Sequence, residues 1–265
     1  LDEATSGLQP ADLIIVAGRP SMGKAQPLDA QVRTRSGWSR MGNLAVGDQL
    51  ASIDGTPSIV TGIFPQGVRQ IFRLTLSDGR STECCAEHLW RVNYREWATP
   101  RILSTEALMK MLGRQRYKNR LWIEPHSGKF GHEDELPLDP WLLGALLGDG
   151  SLGGSSLRFS TASDEMLERV RSCLGETMTV THVGAYDYRI VRQDRGHVQG
   201  HFGSQPNELK AKLQAMGLWD ITSEQKFVPR IYLDACFSIR LALLSGLLDT
   251  DGWVESWGSI RFSTS

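Results

Sequence analysis

Apolar and polar residues alternate in short runs through the first third of the chain. Between residues 25 and 91 these runs are separated by four turn dipeptides: Ser36-Gly37, Asp54-Gly55, Gln66-Gly67 and Asp78-Gly79. Alternation with period two, broken by glycine turns, is typical of β-hairpins. We therefore predict a small, twisted all-β domain here, and we expect residues 119–125 (NRLWIEP) to add a return strand.

The pattern changes in the second half of the chain. Residues 128–140 are rich in glycine, proline and acidic side chains, which marks a boundary. Helical periodicity then predicts a helix over Asp164–Leu174 and another over Asn207–Met216, with a hairpin over residues 178–193 between them. Three parts are therefore predicted, at residues 1–24, 25–135 and 136–265, the last of them α+β.

Composition narrows the class of protein. The chain has 265 residues and a net charge of −1, which excludes a strongly basic packaging protein. It has no apolar run long enough for a membrane span, and its first residues lack the basic region of a signal peptide. The four cysteines are too scattered for a disulfide framework, so we expect a reducing, cytoplasmic setting.

A glycine loop follows the first apolar run. Residues 13–17 (LIIVA) read as a buried strand, and Gly18, Gly23 and Lys24 then form the pattern G-x-x-x-x-G-K. In such a loop the backbone N–H groups surround phosphates, and the lysine contacts the β- and γ-phosphates. The next residue should be Ser or Thr, to hold Mg²⁺, and should begin a helix. Ala25 stands there instead, and strand-like sequence follows it.

Residues 1–24, above all SGLQPADLIIVAGRPSMGK, resemble the P-loop region of bacterial replicative DNA helicases of the DnaB family. The resemblance implies that a continuous helicase would bind ATP and Mg²⁺ with Gly18, Gly23 and Lys24, and would be hexameric. We interpret the loss of the pattern after Lys24 as an insertion at that point.

The inserted sequence resembles the N-terminal half of an intein, a self-excising domain of the Hedgehog/intein β-fold. The runs AQPLDAQVRTRSG, NLAVGDQLASIDG and GRSTECCAEHLW carry this resemblance. It implies autocatalytic rearrangement of the Lys24–Ala25 peptide bond, without a cofactor. His88 stands at the position of the general acid that protonates the leaving amide nitrogen. Cys85 stands where the family usually has Thr.

Ala25 departs from the family, because most inteins begin with a Cys or Ser nucleophile. Either Ala25 is an engineered block, or the intein is of the kind in which a downstream cysteine starts the reaction. Members of that group carry Trp two residues after the histidine, as Trp90 does here. Strand alternation further predicts that one of Cys84 and Cys85 is buried and that the other faces outward.

Residues 91–120 are strongly basic. They contain eight Lys and Arg against two Glu, a local net charge of +6. The segment TEALMKMLGRQRYKN within them reads as a short helix capped at Ser104 or Thr105. Two interpretations stay open: a patch that contacts DNA phosphates, or a solvated helix end.

An internal repeat dominates the last part of the chain. LLGALLGDG (142–150) and LSGLLDTDG (244–252) are similar, and SLGGSSLRFSTAS matches WVESWGSIRFSTS directly after them. Small residues inside each apolar helix would let the two helices approach closely. Their Asp-Gly ends would then bring Asp149 and Asp251 together, and two adjacent carboxylates favour a divalent cation.

The repeated segments resemble the two signature motifs of LAGLIDADG homing endonucleases, which are built from αββαββα repeats. The resemblance implies cleavage of double-stranded DNA, at an intein-less helicase gene, with Mg²⁺ held by Asp149 and Asp251. Lys226 resembles the family's lysine, which orients water or steadies phosphate charge. Base or backbone contacts are predicted for exposed polar residues of the hairpins: Arg158, His182, Tyr188, Arg189, Arg192 and Arg261. For Arg158 and Arg261, which stand at matched positions of the repeat, a role in salt bridges stays equally open.

The second repeat stops at Ser265, and no C-terminal His-Asn pair of an intein is present, so we expect a fragment of a longer protein. Two other functions stay open. One is an ATP-dependent helicase whose β-rich insertion only binds DNA. The other is a splicing domain that carries a decayed nuclease.

Overall fold

The computed structural model describes residues 26–126, 128–193 and 207–263, and the backbone of residues 12–16 and 25. The chain divides into two units, Leu1–His132 and Glu133–Ser265. This division falls three residues before the predicted end of the β-rich part. Within the described residues, no helix is both long enough and apolar enough to cross a bilayer.

The first unit is built almost entirely from short antiparallel strands, as the alternating pattern predicts. Its elements are β1 (Asp12–Val16), β2 (Ala25–Pro27), β3 (Gln31–Thr34), β4 (Gly37–Arg40), β5 (Gln49–Ala51), β6 (Pro57–Ile59), β7 (Ile63–Val68), β8 (Ile71–Thr75), β9 (Ser81–Cys85), β10 (Leu89–Tyr94), β11 (Arg101–Ser104), α1 (Thr105–Leu112) and β12 (Leu121–Trp122). The strand orders are β2-β1-β7, β4-β3-β5-β6, β8-β9 and β11-β10-β12.

Three of the four predicted turns close hairpins, namely Ser36-Gly37, Asp54-Gly55 and Asp78-Gly79. The fourth prediction is wrong, because Gln66-Gly67 lies within strand β7. In the β8–β9 hairpin Thr75 pairs with Ser81, and the turn between them contains Gly79 at φ 86°. A side chain at that φ would clash with the backbone, so glycine is the favoured residue. The predicted return strand is found at β12, which pairs with β10. Helix α1 begins after Ser104, whose hydroxyl accepts the Ala107 N–H at 3.2 Å.

The strand predicted at residues 13–17 is found one residue earlier, as β1. It pairs antiparallel with β2, where Ile15 lies opposite Ala25, and with β7 on its other side. The helicase-like segment is therefore part of a sheet that the following sequence completes. The connection between β1 and β2, with Gly18, Gly23 and Lys24, lies outside the described residues.

The second unit combines helices with one four-stranded sheet. Its elements are α2 (Pro140–Asp149), β13 (Gly150–Ser151), β14 (Arg158–Ser160), α3 (Asp164–Cys173), β15 (Met178–His182), β16 (Asp187–Arg192), α4 (Glu208–Ala215), α5 (Arg230–Leu233), α6 (Phe237–Asp251), β17 (Gly252–Val254) and β18 (Ile260–Phe262). The sheet order is β13-β14-β16-β15, and β17 pairs with β18. The predicted helices, hairpin and repeated hairpins are all observed.

Helices α2 and α6 pack against each other at their glycines. A Cβ atom added to Gly144 would collide with the Leu243 carbonyl oxygen and lie 2.9 Å from Leu247 N. A Cβ atom added to Gly246 would collide with the Trp141 carbonyl oxygen and lie 2.8 Å from Ala145 N. The two backbones are therefore in direct contact, as the small residues of the repeat predict.

A polar contact joins the same two helices to α3. The Trp141 indole N–H donates to Asp249 Oδ2 at 2.7 Å, and Arg169 donates to the same oxygen at 3.0 Å. The Arg169 guanidinium also lies 4.2 Å above the Trp141 ring. Asp249 thereby receives two hydrogen bonds, one from each neighbouring helix.

We expect Gly144→Ala to destabilise the second unit by at least about 2 kcal/mol, because the new methyl group has only backbone to displace. Urea unfolding followed by circular dichroism measures the effect. Gly113→Ala is the control, since a Cβ there meets nothing closer than 3.6 Å. Equal midpoints for the two variants would contradict the close helix contact.

Candidate functional site

His88 is held in a short loop between β9 and β10. Its backbone N–H donates to the Cys85 carbonyl at 3.3 Å, and the backbone N–H of Glu106 in α1 donates to the Ala86 carbonyl at 3.1 Å. The side chain is buried, with 7% of the residue exposed. Its ring lies edge-on to the Trp90 ring, with centroids 4.6 Å apart. The structure therefore brings together two of the residues predicted for one site.

Thr105 connects these two residues, although it is not among the site residues predicted from the sequence. The Trp90 indole N–H donates to Thr105 Oγ1 at 2.9 Å. The Thr105 N–H donates to the His88 carbonyl at 2.9 Å. In sequence Thr105 looks like a helix-capping residue, and no local pattern distinguishes a threonine that also receives a distant indole N–H.

The prediction that one of Cys84 and Cys85 faces outward is wrong. Both are buried, at 0% and 2% exposed. Cys84 points toward Thr105, whereas Cys85 ends β9 and turns into the His88 loop, where strand alternation no longer applies. Burial raises the pKa of both thiols, and the contact with Glu87 raises that of Cys85 further. Both therefore carry a proton at neutral pH.

The strand that begins at Ala25 packs beside the strand that leads into the His88 loop. Strand β2 begins at Ala25 and runs beside β9, the strand that leads into the His88 loop. The predicted phosphate-binding residues Gly18, Gly23 and Lys24 lie outside the described residues. The described backbone thus places residue 25 on a strand that neighbours β9.

The basic stretch is partly neutralised by neighbouring carboxylates. Arg91 pairs with Glu124 at 3.3 Å, and Lys110 pairs with Glu106 at 2.6 Å. Arg101 lies 4.3 Å above the Trp97 ring. These contacts are exposed and contribute little to stability. Both interpretations of the stretch, DNA contact and solvated surface, stay open.

In the second unit, Asp149 and Asp251 are the last residues of the paired helices α2 and α6. Each is followed by a glycine whose N–H closes the helix, Gly150 onto the Leu146 carbonyl and Gly252 onto the Leu248 carbonyl. Partial burial of the carboxyl group, and then the charge of Asp251, raise the pKa of Asp149. The two carboxylates therefore interact, as the repeat predicts.

Lys226 lies at the same helix ends. Its ammonium group donates to three main-chain carbonyls, those of Leu147 at 2.9 Å, Gly148 at 3.2 Å and Gly150 at 2.8 Å. Burial lowers the pKa of Lys226, and the two aspartates oppose this shift. An ammonium group has three N–H bonds, so its donors are all used in capping α2. A contact with water or phosphate stays a prediction.

The oxygens at these helix ends are of the kind that Mg²⁺ prefers. Among the described residues, no group of three or more His, Cys, Asp or Glu side chains could hold a metal ion. Mg²⁺ commonly binds one or two carboxylates and keeps several waters or substrate phosphates. Asp149 and Asp251 fit that mode of binding, in which the protein supplies only part of the coordination.

Comparison with known proteins connects the chain to replicative helicases. Residues 1–36 match the family described as DnaB-like helicase C terminal domain. The chain is 27% identical over 279 aligned positions to the replicative DNA helicase DnaB of Mycobacterium intracellulare, and the match covers 95% of this chain and 42% of that protein. It is 41% identical over 95 positions to DnaB of Mycobacterium leprae (strain TN), with 36% and 16% covered.

This chain therefore spans less than half the length of either curated relative. Two solved structures with local similarity are described as inteins. The crystal structure of the gp41-1 intein is 27% identical, with 32% of this chain and 61% of that chain covered and a TM-score of 0.28. The Msm DnaB1 intein splicing domain bound with zinc is 27% identical, with 31% and 74% covered and a TM-score of 0.23.

We expect Asp149→Asn to raise the urea midpoint of the second unit at neutral pH. The folded state holds the pKa of Asp149 above its ordinary value, so ionisation of this carboxyl opposes folding. Below about pH 4, the ordinary value for Asp, both states are protonated and the gain should vanish. Asp164→Asn, at the start of α3, is the control. A gain that persists in acid would point to packing rather than charge.

Proposed function

We propose that this chain is part of a DnaB-type replicative helicase precursor in which an intein interrupts the phosphate-binding loop after Lys24. Two similarities support the proposal. Residues 1–36 match the DnaB-like helicase family, and a mycobacterial DnaB aligns with 95% of the chain, the strand-rich part included. The proposal includes a DNA-unwinding role like that of the relatives, double-stranded DNA as the partner and a hexameric assembly.

The splicing role is carried by one observation: the buried His88 directly follows strand β9, and β9 packs beside the strand that begins at Ala25. In the reaction a thiol or hydroxyl attacks the Lys24 carbonyl carbon, an ester or thioester forms, and the bond to the Ala25 nitrogen breaks. That nitrogen needs a proton to leave as an amine, and His88 is the group that donates it.

The attacking group is not Ala25, because a methyl group has no lone pair. Cys84 and Cys85 are poor candidates, since raised pKa values keep both thiols protonated. Either residue 25 is naturally Cys or Ser, or a downstream residue attacks first. The order of events differs between these two routes, but both need His88 at the same amide.

For the second unit we propose Mg²⁺-dependent cleavage of double-stranded DNA, the activity of a LAGLIDADG homing endonuclease. The paired Asp149 and Asp251 support it, because they place two carboxylates at adjoining helix ends. Bound there, Mg²⁺ would activate water and neutralise charge on the scissile phosphate. Asp149 and Asp251 would hold the ion, and Lys226 fixes the end of α2 that carries Asp149.

After excision, Gly18, Gly23 and Lys24 would complete an ATP- and Mg²⁺-binding loop with the Ser or Thr that follows. An alternative is a helicase whose insertion binds DNA without splicing, and the charge of residues 91–120 favours this alternative. A splicing domain with an inactive nuclease is the third candidate.

We expect the complete reading frame to release a ligated helicase, and His88→Gln to slow its formation by about 10²-fold or more, the usual contribution of a general acid. Intact-mass spectrometry measures the products for both Ala25 and Ala25→Cys. Ligation with Ala25 would show that a downstream residue attacks first. Ligation only with Ala25→Cys would show that Ala25 replaces the natural nucleophile. His126→Gln, on an exposed histidine, is the control. Ligation in neither form would reject splicing.

We expect Asp149→Asn and Asp251→Asn each to abolish Mg²⁺-dependent cutting of a plasmid that carries the intein-less helicase gene. Each change removes one of the two charges proposed to hold the ion. Agarose gels measure the cut fraction, with Asp164→Asn as the matched control. If all three variants cut like the parent, the carboxylate pair is not the active site. No cutting by the parent would favour the inactive nuclease.

A further inference from the structure

The Thr105 hydroxyl has all its hydrogen-bonding capacity in use. A hydroxyl has one proton to donate and two lone pairs to accept. Thr105 Oγ1 donates to the His88 carbonyl at 3.2 Å and accepts the Trp90 indole N–H at 2.9 Å. Cys84 Sγ lies 3.3 Å away, within hydrogen-bond reach of the remaining lone pair. Burial keeps this thiol protonated, so it can act as the donor.

The main chain of α1 holds the His88 loop as well. The first N–H groups of a helix have no partner within the helix. Here the Thr105 N–H donates to the His88 carbonyl at 2.9 Å, and the Glu106 N–H donates to the Ala86 carbonyl at 3.1 Å. The His88 carbonyl therefore receives both the N–H and the O–H of Thr105. The loop backbone is fixed at two carbonyls by the end of one helix.

The orientation of the His88 ring depends on Trp90, because the two rings are in edge contact at 4.6 Å. The tilt of the indole is in turn set by its N–H bond to Thr105 Oγ1. One buried hydroxyl thus restrains both the backbone of His88 and the ring that His88 packs against. Thr105 itself is 3% exposed, so water cannot replace these bonds readily.

We propose that Thr105 is the positioning residue for His88. The geometry is independent of the splicing function, whereas the expected effect on the reaction rate rests on that proposed function. A general acid has to lie within hydrogen-bond reach of the atom that it protonates. A misplacement of about 1 Å can lower a rate by about 10²-fold. Loss of the Thr105 hydroxyl should therefore slow cleavage at Lys24–Ala25 while His88 itself is intact.

The test compares Thr105→Val, which keeps the shape and loses the hydroxyl, with Thr105→Ser, which keeps the hydroxyl. Thr75→Val, on an exposed strand position, is the matched control. The first measurement is the ¹H–¹⁵N spectrum of the histidine rings in the 265-residue chain, with the His88 signals identified from His88→Gln. The second is the rate of ligation in the complete reading frame.

We expect Thr105→Val to shift the His88 ring signals and to slow ligation about tenfold, and Thr105→Ser to restore both. If Thr105→Val does not fold, Trp90→Phe replaces it, because it removes the indole donor and keeps a ring against His88. Unmoved His88 signals, or no rescue by Ser, would overturn the inference. If the His88 ring signals shift but the unmutated reading frame never ligates, the positioning role of Thr105 is supported and the splicing function is rejected.

Discussion

The second unit depends on one steric constraint, the direct backbone contact between α2 and α6. Gly144 and Gly246 face each other's helices, and neither position has room for a methyl group. Because the contact brings the two axes together, the last residues of both helices, Asp149 and Asp251, lie within electrostatic reach. Burial of the carboxyl group, and then the charge of Asp251, raise the pKa of Asp149. A wider helix pair would separate the charges and remove the reason for a cation.

Lys226 shows how the unit offsets part of this repulsion. Its ammonium group is bonded to three carbonyls at the end of α2, where the helix dipole is negative, and both aspartates stabilise its charge. One cation therefore caps a helix and balances two acids at once. In the first unit the roles are reversed, since N–H groups at the start of α1 bind the carbonyls of the His88 loop. Both candidate sites are built on helix ends.

The two copies of the repeat have the same local structure in different surroundings. Gly150 pairs with Phe159 in the first hairpin, and Gly252 pairs with Phe262 in the second, at equivalent positions. Phe159 is fully buried, whereas Phe262 is 42% exposed. In the first copy, β14 pairs with β16 as well as with β13. In the second copy, the equivalent strand β18 pairs only with β17 among the described residues. Similar sequence patterns therefore give the same hairpin in both copies, and the neighbouring elements determine how far each hairpin is buried.

Features that depend only on neighbours along the chain could be predicted from the sequence. Hairpin turns at glycines, the Ser104 cap, the helices of the second unit and the repeat with its two Asp-Gly ends all follow from local sterics and hydrogen bonding. Three features depend instead on how separate elements pack: the burial of Cys85, the capping of α2 by Lys226 and the position of Thr105 between Trp90 and His88. These depend on groups up to 79 residues apart. Periodicity describes one element at a time, whereas such contacts depend on how separate elements pack.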